Sequence, residues 1–386
     1  MHRRTLLTAA LAAPLAVGTP RLWAAPSADA PRLLLVFLRG GYDCASLLVP
    51  AASPFYAEAR PTIAIPRPGA AADAALPLDA DWALHPATRD SLHRLWLERQ
   101  LAFVPFAGTA DTSRSHFEAQ DFLEHGGLGG AGWIARYLRA RTPAPGALGT
   151  VAIGTTLPES LRGAPGGVVL QRVNDFDLAG DDQRVLAALR GLYETDSTAL
   201  GAAGRATLEA ERRLRELRGR DDRADAQYPD TVLGRGLKEI AKLVKADVGL
   251  VATTVDAVGG ALGWDTHFVQ NTVIGSLIED LGDSIAAFLE DLGAWRSRVT
   301  LVAMTEFGRR VAENTSFGTD HGAGSVAFAI GDDLPMGGGL QRGFTALDAG
   351  DLIGPGDVPV TTDLRELILP ILRQHAPESD LASVFA

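Results

Sequence analysis

The sequence contains a single cysteine, Cys44, among 386 residues. One thiol cannot close an internal disulfide, so an oxidising compartment is tolerated but not exploited for stability. No cluster of Lys and Arg is free of interleaved acids, and the formal net charge is −11. This excludes the electrostatic footprint of a nucleic-acid binder and argues for solubility. Past residue 25 no stretch is long and apolar enough to span a bilayer. No internal repeat is visible. A chain of this length, 46% hydrophobic, suits one large α/β domain or one domain with an inserted helical region.

The N-terminus reads as an address. Arg3-Arg4-Thr5-Leu6-Leu7 precedes an apolar run from Leu6 to Val17 and small residues at Ala24-Ala25. That is the layout of a bacterial twin-arginine export signal; a general secretory signal carrying two arginines is the alternative. Residues 1–25 are therefore expected to be a cleaved signal. Residues 26–386 are expected to be a single domain delivered to the periplasm or outside the cell. Twin-arginine export carries folded proteins, which suits a protein whose metal is loaded beforehand.

Two apolar runs each end in a carboxylate, and this recurrence is the strongest pattern in the chain. Val299 to Met304 is β-branched and of strand length. Glu306 follows its end, and Asp320-His321 lies in a Gly-rich loop close behind. Pro31 to Leu38 is continuously apolar, as expected of a central strand buried on both faces. Gly40 and Gly41 allow a tight turn there, and Asp43 sits just past the tip. Open α/β sheets place their sites at this edge. Asp43 reads either as a ligand or as the N-cap of the next helix. Asp320-His321 reads either as part of a site or as a capping Asp beside an ordinary loop His.

Further buried strands are expected at Leu101 to Phe106, Val151 to Ile153, Gly167 to Leu170 and Val248 to Val255. Residues 50–82 read as a surface excursion with a short hairpin around Thr62 to Ile65. Leu84 to Gln100 reads as a helix with Leu92, Leu95 and Trp96 on one face, and His85 as a packing or capping residue or a substrate contact. Beyond the Leu101 strand, hydroxyls and His116 lead into a helix N-terminus, an end that favours anions. Ser115 could be an activated nucleophile beside Arg114 and His116; alternatively Thr112 or Ser113 merely caps the helix. Another helix is expected from Trp133 to Arg141. Residues from about 181 to 246 are mostly helical and are expected to form an insertion or cap, with Asp221-Asp222-Arg223 in a loop. Asp265 and His267 are two apart, so in extended chain both side chains point to one side. Val273 to Leu292 is an amphipathic helix leading into the Val299 strand, a βαβ unit that implies a parallel pair. Asp363 starts a capped C-terminal helix.

Asp43, Asp265, His267, Glu306, Asp320 and His321 are thus the candidate ligands. Carboxylates mixed with imidazoles suit zinc or manganese, and calcium less well. Six are too many for one tetrahedral ion. They suit two ions, or one ion with a base and an orienting group. Arg114 or Arg309 would neutralise charge developing on a transferred phosphoryl or sulfuryl group.

Five motifs carry a resemblance. Arg39-Gly40-Gly41-Tyr42-Asp43, Arg114-Ser115-His116-Phe117, Gly263-Trp264-Asp265-Thr266-His267, Thr305-Glu306-Phe307-Gly308-Arg309 and Gly318-Thr319-Asp320-His321-Gly322 occur in one order. Together they resemble the exported bacterial family known as domain of unknown function fifteen hundred and one, over roughly residues 30–385. That family is grouped with the alkaline-phosphatase/sulfatase-like superfamily. The resemblance implies a three-layer sandwich, a mostly parallel central sheet flanked by helices. It also implies that Asp43 is similar to the carboxylate ligand after the first strand, and that Ser115 lies where the nucleophile is kept. Asp265 and His267 look like an Asp/His ligand pair, Glu306 sits where a ligand Asp follows a strand, and His321 where a last ligand His does. The chain departs from the superfamily in three ways. The Asp265/His267 pair is more closely spaced. The Asp-His after the late strand is here Glu306-Phe307. The formylglycine signature is missing, and Cys44-Ala45-Ser46-Leu47-Leu48 does not supply it, which argues against an ordinary sulfatase mechanism. The expected function is an exported metal-dependent hydrolase acting on an anionic small-molecule or polymer ester of phosphate or sulfate. The alternative is a non-catalytic exported accessory protein that binds a metal or ligand on the same scaffold.

Overall fold

The computed structural model describes residues 30–127, 129–176, 182–218, 224–259, 263–341 and 347–385. The segment read as an export signal and the Asp221-Asp222-Arg223 loop lie outside the described residues. At the centre is β1 (Arg32–Leu38), buried at every position. Leu34, Val36 and Leu38 join one apolar cluster, and Leu33, Leu35 and Phe37 join another. This is the period-two alternation of a strand with a core on each face, and it explains why the whole run is apolar.

The chain continues through α1 (Cys44–Leu47), β2 (Leu48–Val49), α2 (Pro54–Ala59), β3 (Leu76–Pro77), β4 (Ala83–Leu84), α3 (Leu92–Leu97) and β5 (Leu101–Gly108). Next come α4 (His116–Glu124), α5 (Trp133–Ala140), β6 (Thr150–Ile153), β7 (Val168–Leu170), α6 (Gln183–Glu194) and α7 (Ala199–Leu217). Then follow α8 (Val232–Lys245), β8 (Ala252–Ala257), α9 (Ile274–Leu292) and β9 (Val299–Met304). The last part is β10 (Arg309–Glu313), β11 (Thr319–His321), β12 (Ser325–Ile330), β13 (Gly339–Leu340), β14 (Thr362–Asp363) and α10 (Leu364–His375).

Among the described residues nine strands form one sheet, in the order β13-β5-β12-β9-β1-β8-β6-β7, with β14 also paired to β5. β1 runs parallel to β8 and β9, and β6 parallel to β7 and β8. β12 runs antiparallel to both β5 and β9. These two reversals leave β5 parallel to β9, so β1, β5, β8 and β9 all end at one edge. Leu233 and Leu237 of α8 and Ile278 and Leu281 of α9 pack on one face, Trp133 of α5 and Leu367 of α10 on the other. The protein is an α/β domain with a mixed sheet covered by helices on both faces.

Several local expectations change. β8, α9 and β9 form a parallel crossover, but β1 lies between the two strands, because the fully buried first strand takes the centre. The expected Leu84–Gln100 helix is broken. His85 Nδ1 accepts from the Ala87 N–H at 3.2 Å and caps a short turn, and α3 begins only at Leu92. The break lets Ser91 lie against Gly282 of α9, where an added Cβ would stand 2.3 Å from the Ser91 Oγ. No hairpin forms at Thr62 to Ile65; the small sheet of this region is β2-β4-β3. Asp320 and His321 belong to a short strand, β11, that pairs with β10, and not to a loop. Of the helices expected as an insertion, α6 and α7 pack on each other, whereas α8 lies beside α9 against the sheet. Among the described residues no helix is long and apolar enough to cross a membrane.

His375, at the end of α10, is buried with its Nε2 2.9 Å from the Thr300 Oγ1. Burial lowers its imidazole from 6.5 to about 4. Below pH 6.5 the unfolded chain takes up this proton and the folded chain does not, so stability is lost as pH falls towards about 4. A loss of about 3 kcal/mol is expected from this group. Urea unfolding at pH 7 and pH 4 should show it, and His375→Gln should reduce the difference. An equal difference in the variant would rule out this residue as its source.

Candidate metal centre

Four strand ends feed one site. Past β1 the backbone turns through Gly40 and Gly41 at φ 123° and 58°. A Cβ on Gly40 would stand 3.0 Å from the Asp265 backbone nitrogen, so the missing side chain lets this turn touch the loop after β8. That loop carries Asp265 and His267. Past β5 the chain reaches His116, the first residue of α4, and β9 delivers Glu306. The β10–β11 hairpin returns with Asp320 and His321. An added Cβ on Gly318 would lie 2.3 Å from the His267 carbonyl carbon, so the hairpin is seated directly on the Asp265 loop.

Four side chains turn their ligand atoms towards one another. The Nε2 atoms of His267 and His321 are 3.0 Å apart. Each is 3.1 Å from the Asp265 Oδ1, and the His116 Nε2 is 3.4 Å from the Asp265 Oδ2. The ligand atoms of His116, Asp265 and His321 all lie within 4.8 Å of one another. Ligands about 2.0–2.1 Å from a tetrahedral zinc stand roughly 3.3 Å apart, so the spacing fits a shared ion.

The protons favour the same conclusion. An ionised carboxylate only accepts, so His116 donates its Nδ1–H to the Glu306 Oε1 at 2.7 Å. A backbone carbonyl also only accepts, so His321 donates its Nδ1–H to the Arg114 oxygen at 2.9 Å. The His267 Nδ1 is 3.5 Å from the Asp320 Oδ1. Each imidazole thus has an oxygen at its outer nitrogen and turns its Nε2 inward, the arrangement of metal-bound histidines. The His116 Nε2 is buried and without a hydrogen-bond partner. The neighbouring carboxylates of Asp265 and then Glu306 push the His116 imidazole up to about 9. Burial opposes ionisation of Asp265, but His116, His321 and Arg309 outweigh it and hold the carboxyl well below the usual range. Burial and the Arg309 charge lower His267.

The six candidate ligands therefore divide. Asp265, His267 and His321 come together, joined by His116, which was expected only as a neighbour of a nucleophile. Glu306 is buried and stands behind the cluster. It accepts from the Gly40 N–H at 2.9 Å, Gln120 Nε2 at 2.9 Å and Thr305 Oγ1 at 2.9 Å as well as from His116. Hydrogen bonds from His116, Gln120 and Thr305 overcome its burial and keep it ionised. Asp320 flanks His267 and accepts from the Asn314 Nδ2 at 3.0 Å. Asp43 stands apart. Its two oxygens accept from Arg60 at 2.5 and 2.8 Å, and one also accepts from Ser46 at 2.6 Å and Gln270 at 2.7 Å. Burial would raise this carboxyl, but Arg60 holds it below its ordinary value. A carboxylate so fully engaged by a guanidinium has no free face for a metal.

The expected catalytic residues also divide. Arg309 is buried and donates to the Gly41, Gly40 and Thr319 carbonyls and to Asp265, so it holds the backbone and cannot meet a substrate. The Arg114 guanidinium pairs with Asp357 and is 38% exposed. Ser115, not Thr112 or Ser113, occupies the N-cap position of α4, and its side chain makes no capping bond. The Phe307 ring packs 4.9 Å from the His116 ring and 4.7 Å from the His321 ring and forms an apolar wall on that side of the cluster. Asp121, His125 and Glu159 form a separate group within ligand range, but Glu159 is bound to Arg162 at 3.1 Å.

Zinc titration should saturate at one tightly held ion in this cluster. His116→Ala and His321→Ala should abolish that binding. Glu306→Gln should weaken it about 10–100-fold, because the acceptor that orients His116 loses its negative charge. Asp43→Ala should leave zinc affinity intact but cost about 3–5 kcal/mol of stability by stranding Arg60. Loss of zinc in Asp43→Ala at temperatures where it is folded would return that residue to the ligand set.

No curated protein matches the chain. Residues 30–376 match the family described as "Protein of unknown function (DUF1501)", and with that match spanning most of its length the chain belongs to this family.

Proposed function

We propose that the protein is an exported, metal-dependent hydrolase of phosphate or sulfate esters, built on an alkaline-phosphatase-like three-layer sandwich. The observation that carries this reading is the inward convergence of three imidazole Nε2 atoms on the Asp265 carboxylate at the edge where parallel strands end. Zinc or manganese bound there supplies Lewis-acid polarisation of a phosphoryl or sulfuryl oxygen. The chain's own residues do the rest. Glu306, Asp320 and the Arg114 carbonyl orient the imidazoles. Phe307 keeps one side of the cluster apolar. Asp265 and His267 are 40% and 37% exposed at the side chain, so an anionic ester can approach from solvent. The twin-arginine pattern at Arg3-Arg4 supports export to the periplasm or outside the cell, with a mature domain starting near residue 26.

A second reading rests on Ser115. Among the described residues no imidazole or carboxylate is hydrogen-bonded to its hydroxyl, so nothing activates it as a nucleophile. This favours a non-catalytic accessory protein that holds a metal or an anionic ligand on the same scaffold.

Zinc- or manganese-loaded protein assayed with aryl phosphates and aryl sulfates separates the two. Turnover that Asp265→Ala and His321→Ala abolish while retaining the wild-type circular dichroism supports the hydrolase. Tight metal binding without turnover on either class would overturn it in favour of the accessory protein. For export, Arg3→Lys together with Arg4→Lys should retain the protein in the cytoplasm. Unimpaired export of that variant would point to the general secretory route.

A further inference from the structure

Among the described residues the exposed aromatic side chains are three phenylalanines, Phe117 at 87%, Phe268 at 51% and Phe317 at 52%. All three lie on segments that carry an imidazole of the cluster. Phe117 follows His116, Phe268 follows His267, and Phe317 is in the turn between β10 and β11 that leads to His321. Two of these segments touch: the Val269 N–H donates to the Ser316 carbonyl at 2.9 Å and the Gln270 N–H to the Phe317 carbonyl at 2.8 Å. Val269 is also exposed, at 39%.

The backbone makes this exposure costly. Val269 has φ 41° and Phe317 has φ 61°, left-handed conformations that a β-branched or aromatic residue adopts only under constraint. Gly or Asn would relieve that strain in a solvent-facing turn. Instead these turns, one after His267 and one before His321, hold large apolar side chains in water. Apolar surface gathered beside convergent polar groups is the composition of a ligand site.

We propose that Phe117, Phe268, Phe317 and Val269 form an apolar collar that seats the organic part of the substrate. The substrate is then an anionic ester of a large apolar or aromatic alcohol, with its charged group at the histidine cluster and its alcohol against the collar. This rests on the cluster being an anion site, as the hydrolase reading requires. A soluble ester is favoured over a lipid surface because each phenylalanine lies on a segment that carries an imidazole of the cluster, so the apolar residues and the anion site belong to the same segments.

Two non-hydrolysable probes of equal charge test it. Titration calorimetry of the zinc-loaded chain should show 1-naphthylphosphonate binding at least tenfold more tightly than methylphosphonate. The triple variant Phe117→Ser, Phe268→Ser, Phe317→Ser changes only exposed side chains. It should bring naphthylphosphonate down to the affinity of methylphosphonate. Equal affinity of the two probes for the wild type, or a preference that survives in the triple variant, overturns the collar while leaving the anion site in place. If neither probe binds protein shown to hold zinc, the anion site falls and the collar with it. Sedimentation with phosphatidylcholine vesicles that depends on the same three phenylalanines would make the patch a membrane contact and overturn the proposal.

Discussion

The buried guanidinium of Arg309 is the constraint on which the arrangement depends. Its Nε donates to the Gly41 carbonyl at 2.5 Å, its Nη1 to the Thr319 carbonyl at 2.9 Å and its Nη2 to the Gly40 carbonyl at 2.7 Å. The same Nη2 pairs with Asp265. One side chain thereby joins the turn after β1, the loop after β8 and the strand that presents His321. A guanidinium out of water needs its donors satisfied, and here carbonyls of distant segments satisfy them. The fixed fork of an arginine imposes a geometry that a lysine could not. Its charge also helps keep Asp265 ionised without lending that carboxylate a proton.

A second buried guanidinium stabilises the level beneath. Arg60 holds Asp43 and also reaches the Val311 carbonyl at 2.6 Å, which anchors β10. Gln270 links the two levels: its Nε2 donates to Asp43 at 2.7 Å, while its Oε1 accepts from Thr266 at 2.7 Å and Thr319 at 2.9 Å. The carboxylates of the five motifs thus divide by task. Asp43 and Glu306 organise the frame, Asp320 flanks His267, and Asp265 faces the open side.

This division explains what could be read from the sequence. The apolar runs of β1, β5 and β9 declared themselves because strands buried on both faces admit little else. Their common edge followed, and with it the neighbourhood of Asp265, His267 and His321. The partner of each carboxylate did not follow. Arg60 lies within the segment read as a surface excursion, 17 positions after Asp43, and Glu306 meets His116 across 190 positions of chain, so neither pairing leaves a local pattern. His116 looked like an accessory to Ser115 because its hydroxyl neighbours suggested a nucleophile. Only the Glu306 contact shows that its Nε2 turns inward. The helix expected after Leu84 failed for a similar reason: the close pass of Ser91 over Gly282 is a tertiary demand. The fold itself assigns no chemistry, which rests on the site alone.

The sheet order has a consequence for how the chain is made. β5 ends at Gly108, yet its sheet neighbours are β12, β13 and β14, of which the first begins at Ser325. While the ribosome extends the intervening chain, an eight-residue apolar strand waits without a hydrogen-bonding partner. Such an unpaired edge invites association with other nascent chains. The apolar edge of β5 can therefore be paired within this chain only once about the final sixth of the polypeptide has emerged.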